Sequence, residues 1–119
     1  MSRLRGFFAR LAESDEHRLA TEIREWAATV PGSFPIADAP LRSTVVLAGV
    51  VRRITVLPVV GQESLQALLF DGTGEVAVVW MGRRFIPGLD LGTRLVVEGV
   101  VADQRGGRRM VNPRFEFAP

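Results

Sequence analysis

The 119-residue sequence predicts a mainly β domain, a closed barrel of five strands preceded by one amphipathic helix. Three observations carry that expectation. From Ser43 onward, runs dense in valine, leucine and isoleucine alternate with breaks containing glycine, proline and aspartate, the texture of short strands and turns. Glycine stands in the middle of two of those runs, at Gly49 and Gly99, where a strand normally packs a side chain. The first 30 residues instead place apolar side chains at helical spacing.

The helix is expected over about residues 4–30. Leu19, Ile23, Trp26, Ala27 and Val30 form one apolar stripe, with Glu16, Glu22 and Glu25 largely off it. Arg18 and Glu22 are spaced to pair across one turn. Ser14 followed by Asp15 and Glu16 has the pattern of an N-cap with acids in the first turn, so residues 4–12 read as a separate short helix. Pro31-Gly32 ends the element. Residues 31–42 hold Pro31, Pro35 and Pro40 and read as an extended connector, because each proline removes a donor and biases its neighbour away from helix. The chain thus divides into a helical segment (1–30), a connector (31–42) and a barrel (43–119).

Within the barrel, strands are expected over 45–57, 65–70, 75–81, 93–103 and 109–117. Asp71-Gly72-Thr73-Gly74 makes the turn between the second and third, with glycines available for positive φ. Residues 104–108 form the loop between the last two. Pro87-Gly88 leaves the 82–92 link room for a single turn of helix at most. Interior strand glycines mark bulges or sharp bends, the device by which a small sheet closes on itself. A five-stranded closed Greek-key barrel of this size is the OB-fold.

Composition narrows the chemistry. The absence of cysteine removes disulfides, thiolate metal ligands and thiol nucleophiles. One histidine, His17, argues against a histidine metal cluster or a serine triad, and its place on the acidic side of the helix predicts a solvent-facing residue. Asp71, Glu75 and Asp90 are dispersed among turns and do not form a carboxylate pair. Asp71-Gly72-Thr73-Gly74 lacks the lysine and final threonine of the Asp-Lys-Thr-Gly-Thr sequence of ion-pumping ATPases. Gly82-Arg83-Arg84 and Arg105-Gly106-Gly107-Arg108 do not open helices after strands, as phosphate loops do. No enzymatic activity, cofactor or metal is expected. The longest aliphatic run, residues 45–51, is far short of the ~20 residues that cross a bilayer. Arg10 and Glu13 interrupt the apolar Phe7-Phe8 before a leader's hydrophobic region forms. No membrane partner is expected, and the cytoplasm is the expected address.

Fifteen basic residues against thirteen acidic give a net charge of +2. The isoelectric point of about 10.9 reflects that every base is arginine, which keeps its proton. Residues 1–30 are neutral, so the whole excess lies in residues 31–119. An excess this small permits a nucleic-acid partner without demanding one.

Several stretches resemble a known family: Val46-Leu47-Ala48-Gly49-Val50-Val51, Leu69-Phe70-Asp71-Gly72-Thr73-Gly74, Val79-Trp80-Met81-Gly82-Arg83-Arg84, Gly92-Thr93-Arg94-Leu95-Val96-Val97-Glu98-Gly99 and Asn112-Pro113-Arg114-Phe115. Together they resemble the OB-fold nucleic-acid-binding domains of the tRNA-anticodon type. They are similar also to the wedge domain of the RecG helicase and to small stand-alone OB-fold proteins of actinobacteria. The resemblance covers residues 44–117. It implies binding of nucleic acid, DNA or RNA, expected to be single-stranded.

OB-folds bind on the face of strands two and three, between the 1–2 and 4–5 loops. Cations there track phosphates and aromatic rings stack on bases. The candidate cations are Arg52 and Arg53 at the end of strand one, Arg83 and Arg84 after strand three, and Arg105, Arg108 and Arg109 around the last loop. The candidate stacking residues are Trp80 and Phe70. Strand period places Val76, Val78 and Trp80 on one face and Ala77, Val79 and Met81 on the other, so both faces are apolar. Something is therefore expected to cover the outer face: the N-terminal helix, a second copy of the chain, or another protein. Phe7, Phe8 and Leu11 form a further apolar patch for a partner. The alternative reading is a protein-interaction or self-assembly module, a homodimer included, that uses this apolar face without binding nucleic acid.

Overall fold

The computed structural model describes residues 3–59, 61–105 and 107–119. One helix, α1 (Arg3–Ala28), and a single 3-10 turn (Ile36–Asp38) precede six strands. These are β1 (Thr44–Val59), β2 (Gln62–Phe70), β3 (Glu75–Met81), β4 (Arg94–Gln104), β5 (Gly107–Val111) and β6 (Arg114–Ala118). The chain is mainly β, as expected.

The long β1 does two jobs in succession. From Thr44 to Val50 it pairs antiparallel with β4, and from Val50 to Val59 with β2. β2 pairs antiparallel with β3, β3 runs parallel to β5, and β5 pairs antiparallel with β4. The β1–β4 pairing then closes a ring of five strands. Gly49 sits where β1 leaves β4 for β2. A β-carbon there would lie 2.6 Å from the carbonyl oxygen of Phe70, so only glycine admits the close approach of β2. The register slip falls at Arg52, an extra residue between the pairs Val51–Leu69 and Arg53–Leu68. Gly99 is the matching close approach in β4, with the Met110 sulfur 3.0 Å from where a β-carbon would stand.

The expected fifth strand is broken in two. β5 pairs with the end of β4 and β6 with its beginning, along the same edge. Asn112 (φ +50°) and the donor-less Pro113 make the break. The Asn112 side-chain oxygen accepts from the Met81 N–H at 2.9 Å, and its own N–H donates to Val79 O at 2.7 Å. The 82–93 link forms turns rather than helix. Leu89 N–H donates to Ile86 O at 3.1 Å across Pro87 and Gly88, and Gly88 at φ +88° supplies the positive φ of a type II turn. Ile86 and Leu89 enter the core from this link.

Inward-facing Leu47, Val51, Leu65, Ala67, Leu69, Val76, Val78, Leu95, Val97 and Met110 fill the ring. Ile36, from the connector, joins them. Asp71, 2% exposed, holds it in place. Its Oδ2 accepts from the Ile36 N–H at 2.8 Å. Its Oδ1 accepts from Thr73 N–H at 2.9 Å, Thr73 Oγ1 at 2.6 Å and Gly74 N–H at 3.1 Å. The Asp-Gly-Thr-Gly turn is therefore also a clasp on the connector.

α1 is one continuous helix through Ser14, which caps nothing. A break would incur the cost of nucleating a second helix, whereas an exposed serine inside a helix costs only a few tenths of a kcal/mol. Arg18 pairs not with Glu22 but with Asp15, at 3.0 Å, because helical side chains lean toward the N-terminus. Only the last turns dock. Ile23 and Ala27 are buried, the Arg94 guanidinium lies 4.8 Å over the Trp26 ring, and Gly72 leaves room for the helix backbone at Ala20. Leu19, expected in the buried stripe, is 54% exposed, because a helix about 39 Å long outruns the ring of strands. Described side chains from Phe8 to Leu19 are all exposed; that of Phe7 lies outside the described residues. The radius of gyration, 15.9 Å, exceeds the roughly 13.5 Å of a compact chain of this length for the same reason. No helix among the described residues is long and apolar enough to cross a membrane.

Candidate functional site

The outward faces of β2, β3 and β5 form a surface on which register brings distant residues into rows. Leu65, Ala67 and Leu69 are buried inward, so Gln66, Leu68 and Phe70 face out. Arg53 pairs with Leu68, Leu68 with Ala77, Ala77 with Arg109 and Arg109 with Ala102. One row therefore carries two guanidinium groups on either side of a small apolar floor. Their backbones are about 14 Å apart, three strand spacings. The next row holds Thr55, Gln66, Val79 and Val111.

Along this surface runs a groove of about 450 Å³ lined by Gln66, Ala77, Gln104, Arg105, Gly107, Arg108 and Arg109. A second hollow of about 380 Å³ shares Ala77, Gly107 and Arg108 with it and adds Leu68 and Glu75. The wall is the β4–β5 hairpin. Gln104 pairs directly with Gly107, so the loop is only Arg105 and Gly106, shorter than the sequence predicts; Gly106 lies outside the described residues. Arg105 adopts φ +41°, a conformation that glycine or asparagine takes more readily, and so projects at the hairpin tip.

The electrostatics are one-sided. Among the described residues, the ion pairs are Arg18–Asp15, Arg52–Glu75 and Arg84–Glu63. Arg53, Arg105, Arg108 and Arg109 take part in none. Arg108 stays unpaired although Asp103 is its cross-strand neighbour, and its Nε is buried without a hydrogen-bond partner. Arg109 Nη1 donates to Gln104 Oε1 at 3.5 Å, a long contact.

The structure sorts the expected site residues into three groups. Arg53, Arg105 and Arg109 meet at the groove or its border, whereas Arg108 shares its register position with inward-facing Val76 and so lies on the opposite strand face from Arg109. Arg52, displaced by its bulge, lays its guanidinium 3.7 Å over the Phe70 ring and lies 4.0 Å from Glu75, so both it and Phe70 are engaged at the groove's end. Arg83 and Arg84 stand beyond the other end of β3, where Arg84 Nε pairs with Glu63 at 2.6 Å. Trp80, expected as the leading stacking residue, is corrected to a core residue. It is 4% exposed and packs edge-to-face on Phe115, with centroids 5.3 Å apart, because it shares its strand face with the buried Val76 and Val78. Its Nε1 is buried without a partner.

Gln66, Leu68, Ala77 and Gln104 were not expected in the site. Gln66 carried a signal, as the only polar residue in the expected strand 65–70; Leu68 and Ala77 carried none. Of the three covers that the sequence leaves open for the outer face, α1 does not line the groove; the helix docks on β1 and the 71–74 turn instead. Comparison with models of known protein families finds no match, and comparison with curated proteins finds none either.

Proposed function

We propose that the chain is a non-catalytic OB-fold module that binds single-stranded nucleic acid along the open face of β2, β3 and β5. Three arginines around one groove, Arg53, Arg105 and Arg109, without an ion pair among the described residues, carry the reading. Unneutralised guanidinium groups converging on a concave surface recruit an extended polyanion, whose bound counterions are released as each phosphate is engaged. The groove has the volume of a ligand site, enough for a segment of one strand. The ring order β1-β2-β3-β5-β4, with β3 parallel to β5, supports the OB reading, as does the resemblance to the tRNA-anticodon-type domains. In such barrels this face, flanked by the 1–2 and 4–5 loops, is where strands bind. Here the 4–5 loop is the basic jaw.

Fluorescence anisotropy with a labelled 20-nucleotide single strand, and a duplex control, tests the proposal. The single strand binds more tightly than the duplex, Arg109→Glu weakens it at least tenfold, and Arg83→Glu leaves it unchanged. Absence of single-strand binding at 50 mM salt refutes the proposal, and equal effects of the two variants would relocate the site.

A second reading, a protein-interaction or self-assembly module, is favoured by one observation. The β1–β2 hairpin exposes Val56 and Leu57, 41% and 40%, level with the end of β3, without any arginine among residues 54–63. Light scattering across a concentration series separates it: a dimer that dissociates in Val56→Ser with Leu57→Ser supports this use of the hairpin.

A further inference from the structure

Resting on that reading, we infer that the face grips the phosphate backbone of its ligand and leaves the bases unstacked. The partner class is then a linear polyphosphate chain, with or without bases. The residues of the two rows are Arg53, Leu68, Ala77 and Arg109, then Thr55, Gln66, Val79, which is fully buried, and Val111. None is aromatic. The two rings that sequence reasoning assigned to stacking are both withdrawn: Trp80 points into the core, and Phe70 lies beneath the Arg52 guanidinium. Among the described residues, the other well-exposed rings lie elsewhere, Phe8 on α1, Phe34 in the connector, Phe85 in the β3–β4 link and Phe117 on β6.

Leu68 and Ala77 offer no side-chain hydrogen-bond donor or acceptor, which leaves the amides of Gln66 and Gln104 as the neutral side chains among the groove's described lining residues that could read a base edge. The groups that can engage a ligand most strongly are the guanidinium groups of Arg53, Arg105 and Arg109, and charge-assisted contacts with phosphate are what guanidinium geometry favours. A stacked base contributes roughly a five- to 150-fold gain in affinity, so a site that stacks bases and one that does not are far apart in measurement. Recognition by charge alone predicts indifference to which base is present, and to whether one is.

The test compares dT20, dA20 and a 20-unit abasic strand of the same backbone by anisotropy at 50 mM salt, with inorganic polyphosphate as competitor. The inference predicts dissociation constants within about threefold for all three strands, displacement by polyphosphate, and a parallel loss for all three in Arg109→Glu. An abasic strand that binds more than tenfold weaker than dT20, or a tenfold preference between dA20 and dT20, overturns it while leaving nucleic-acid binding standing. Failure of every strand to bind overturns both.

Discussion

The clasp made by Asp71 gives the account its sharpest energetic prediction. In Asp71→Ala, the Ile36 N–H keeps its place in the core and loses its acceptor, at a cost of about 1–3 kcal/mol for a buried unsatisfied donor. The turn also loses the three hydrogen bonds that Oδ1 accepts from Thr73 and Gly74, whose donors are half-exposed and regain part of the loss from water. A total of about 4 kcal/mol follows, one of the large single-substitution effects. For a domain of this size that lowers the melting temperature by about 15 °C. Thr73→Val removes the hydroxyl that bridges Asp71 Oδ1 and the Ala37 N–H at 3.2 Å, and is expected to cost only about 1 kcal/mol. Differential scanning calorimetry of the three proteins checks the ordering. Melting of Asp71→Ala within 3 °C of the parent would refute the clasp, and would return Asp71 to consideration as a functional carboxylate.

Three further expectations concern the scaffold and the hairpin. Gly49→Ala places a methyl 2.6 Å from a backbone oxygen and is expected to cost about 3 kcal/mol, whereas Gly107→Ala, with nothing within 4 Å, stays near neutral; urea unfolding midpoints separate them. Leu19→Asp changes stability by less than about 1 kcal/mol, because Leu19 faces solvent, while Ile23→Asp buries a charge and costs about 3 kcal/mol or more in the same assay. Arg105→Gly relieves a positive φ and stabilises the domain by about 1 kcal/mol, yet weakens strand binding by removing one groove cation. A variant that melts no higher, or binds as well as the parent, contradicts the role assigned to Arg105.

What was legible in the sequence is what local pattern controls. Alternation placed β1 to β4 and set Trp80 on the same face as Val76 and Val78, and the two strand glycines marked the close approaches of the ring. Local pattern misleads where the decisive contact is distant. Ser14-Asp15-Glu16 looks like a cap, but nothing in those residues says that continuing the helix is cheaper than restarting it. Leu19 continues the stripe, but only the extent of the ring of strands decides where the stripe ceases to be buried. Residues 109–117 read as one strand, although Asn112-Pro113 already carries a residue tolerant of positive φ followed by one without a donor.

The candidate site was half legible. Its arginines were named one by one, but their grouping depends on the parallel β3–β5 pairing and on the bulge at Arg52. Neither is written in any single stretch of chain. That grouping separates Arg53 and Arg109, which share a row, from Arg83 and Arg84, which do not reach it.

The salt dependence of single-strand affinity tests the central claim most directly. Three phosphate contacts, from Arg53, Arg105 and Arg109, predict a slope of about −2.1 in log K against log salt, hence roughly a twentyfold loss between 50 and 200 mM. Replacing Arg53 and Arg109 by alanine cuts the slope to about −0.7. A parent slope near zero, or a slope that the double variant leaves unchanged, would contradict the claim that this groove holds a phosphate backbone.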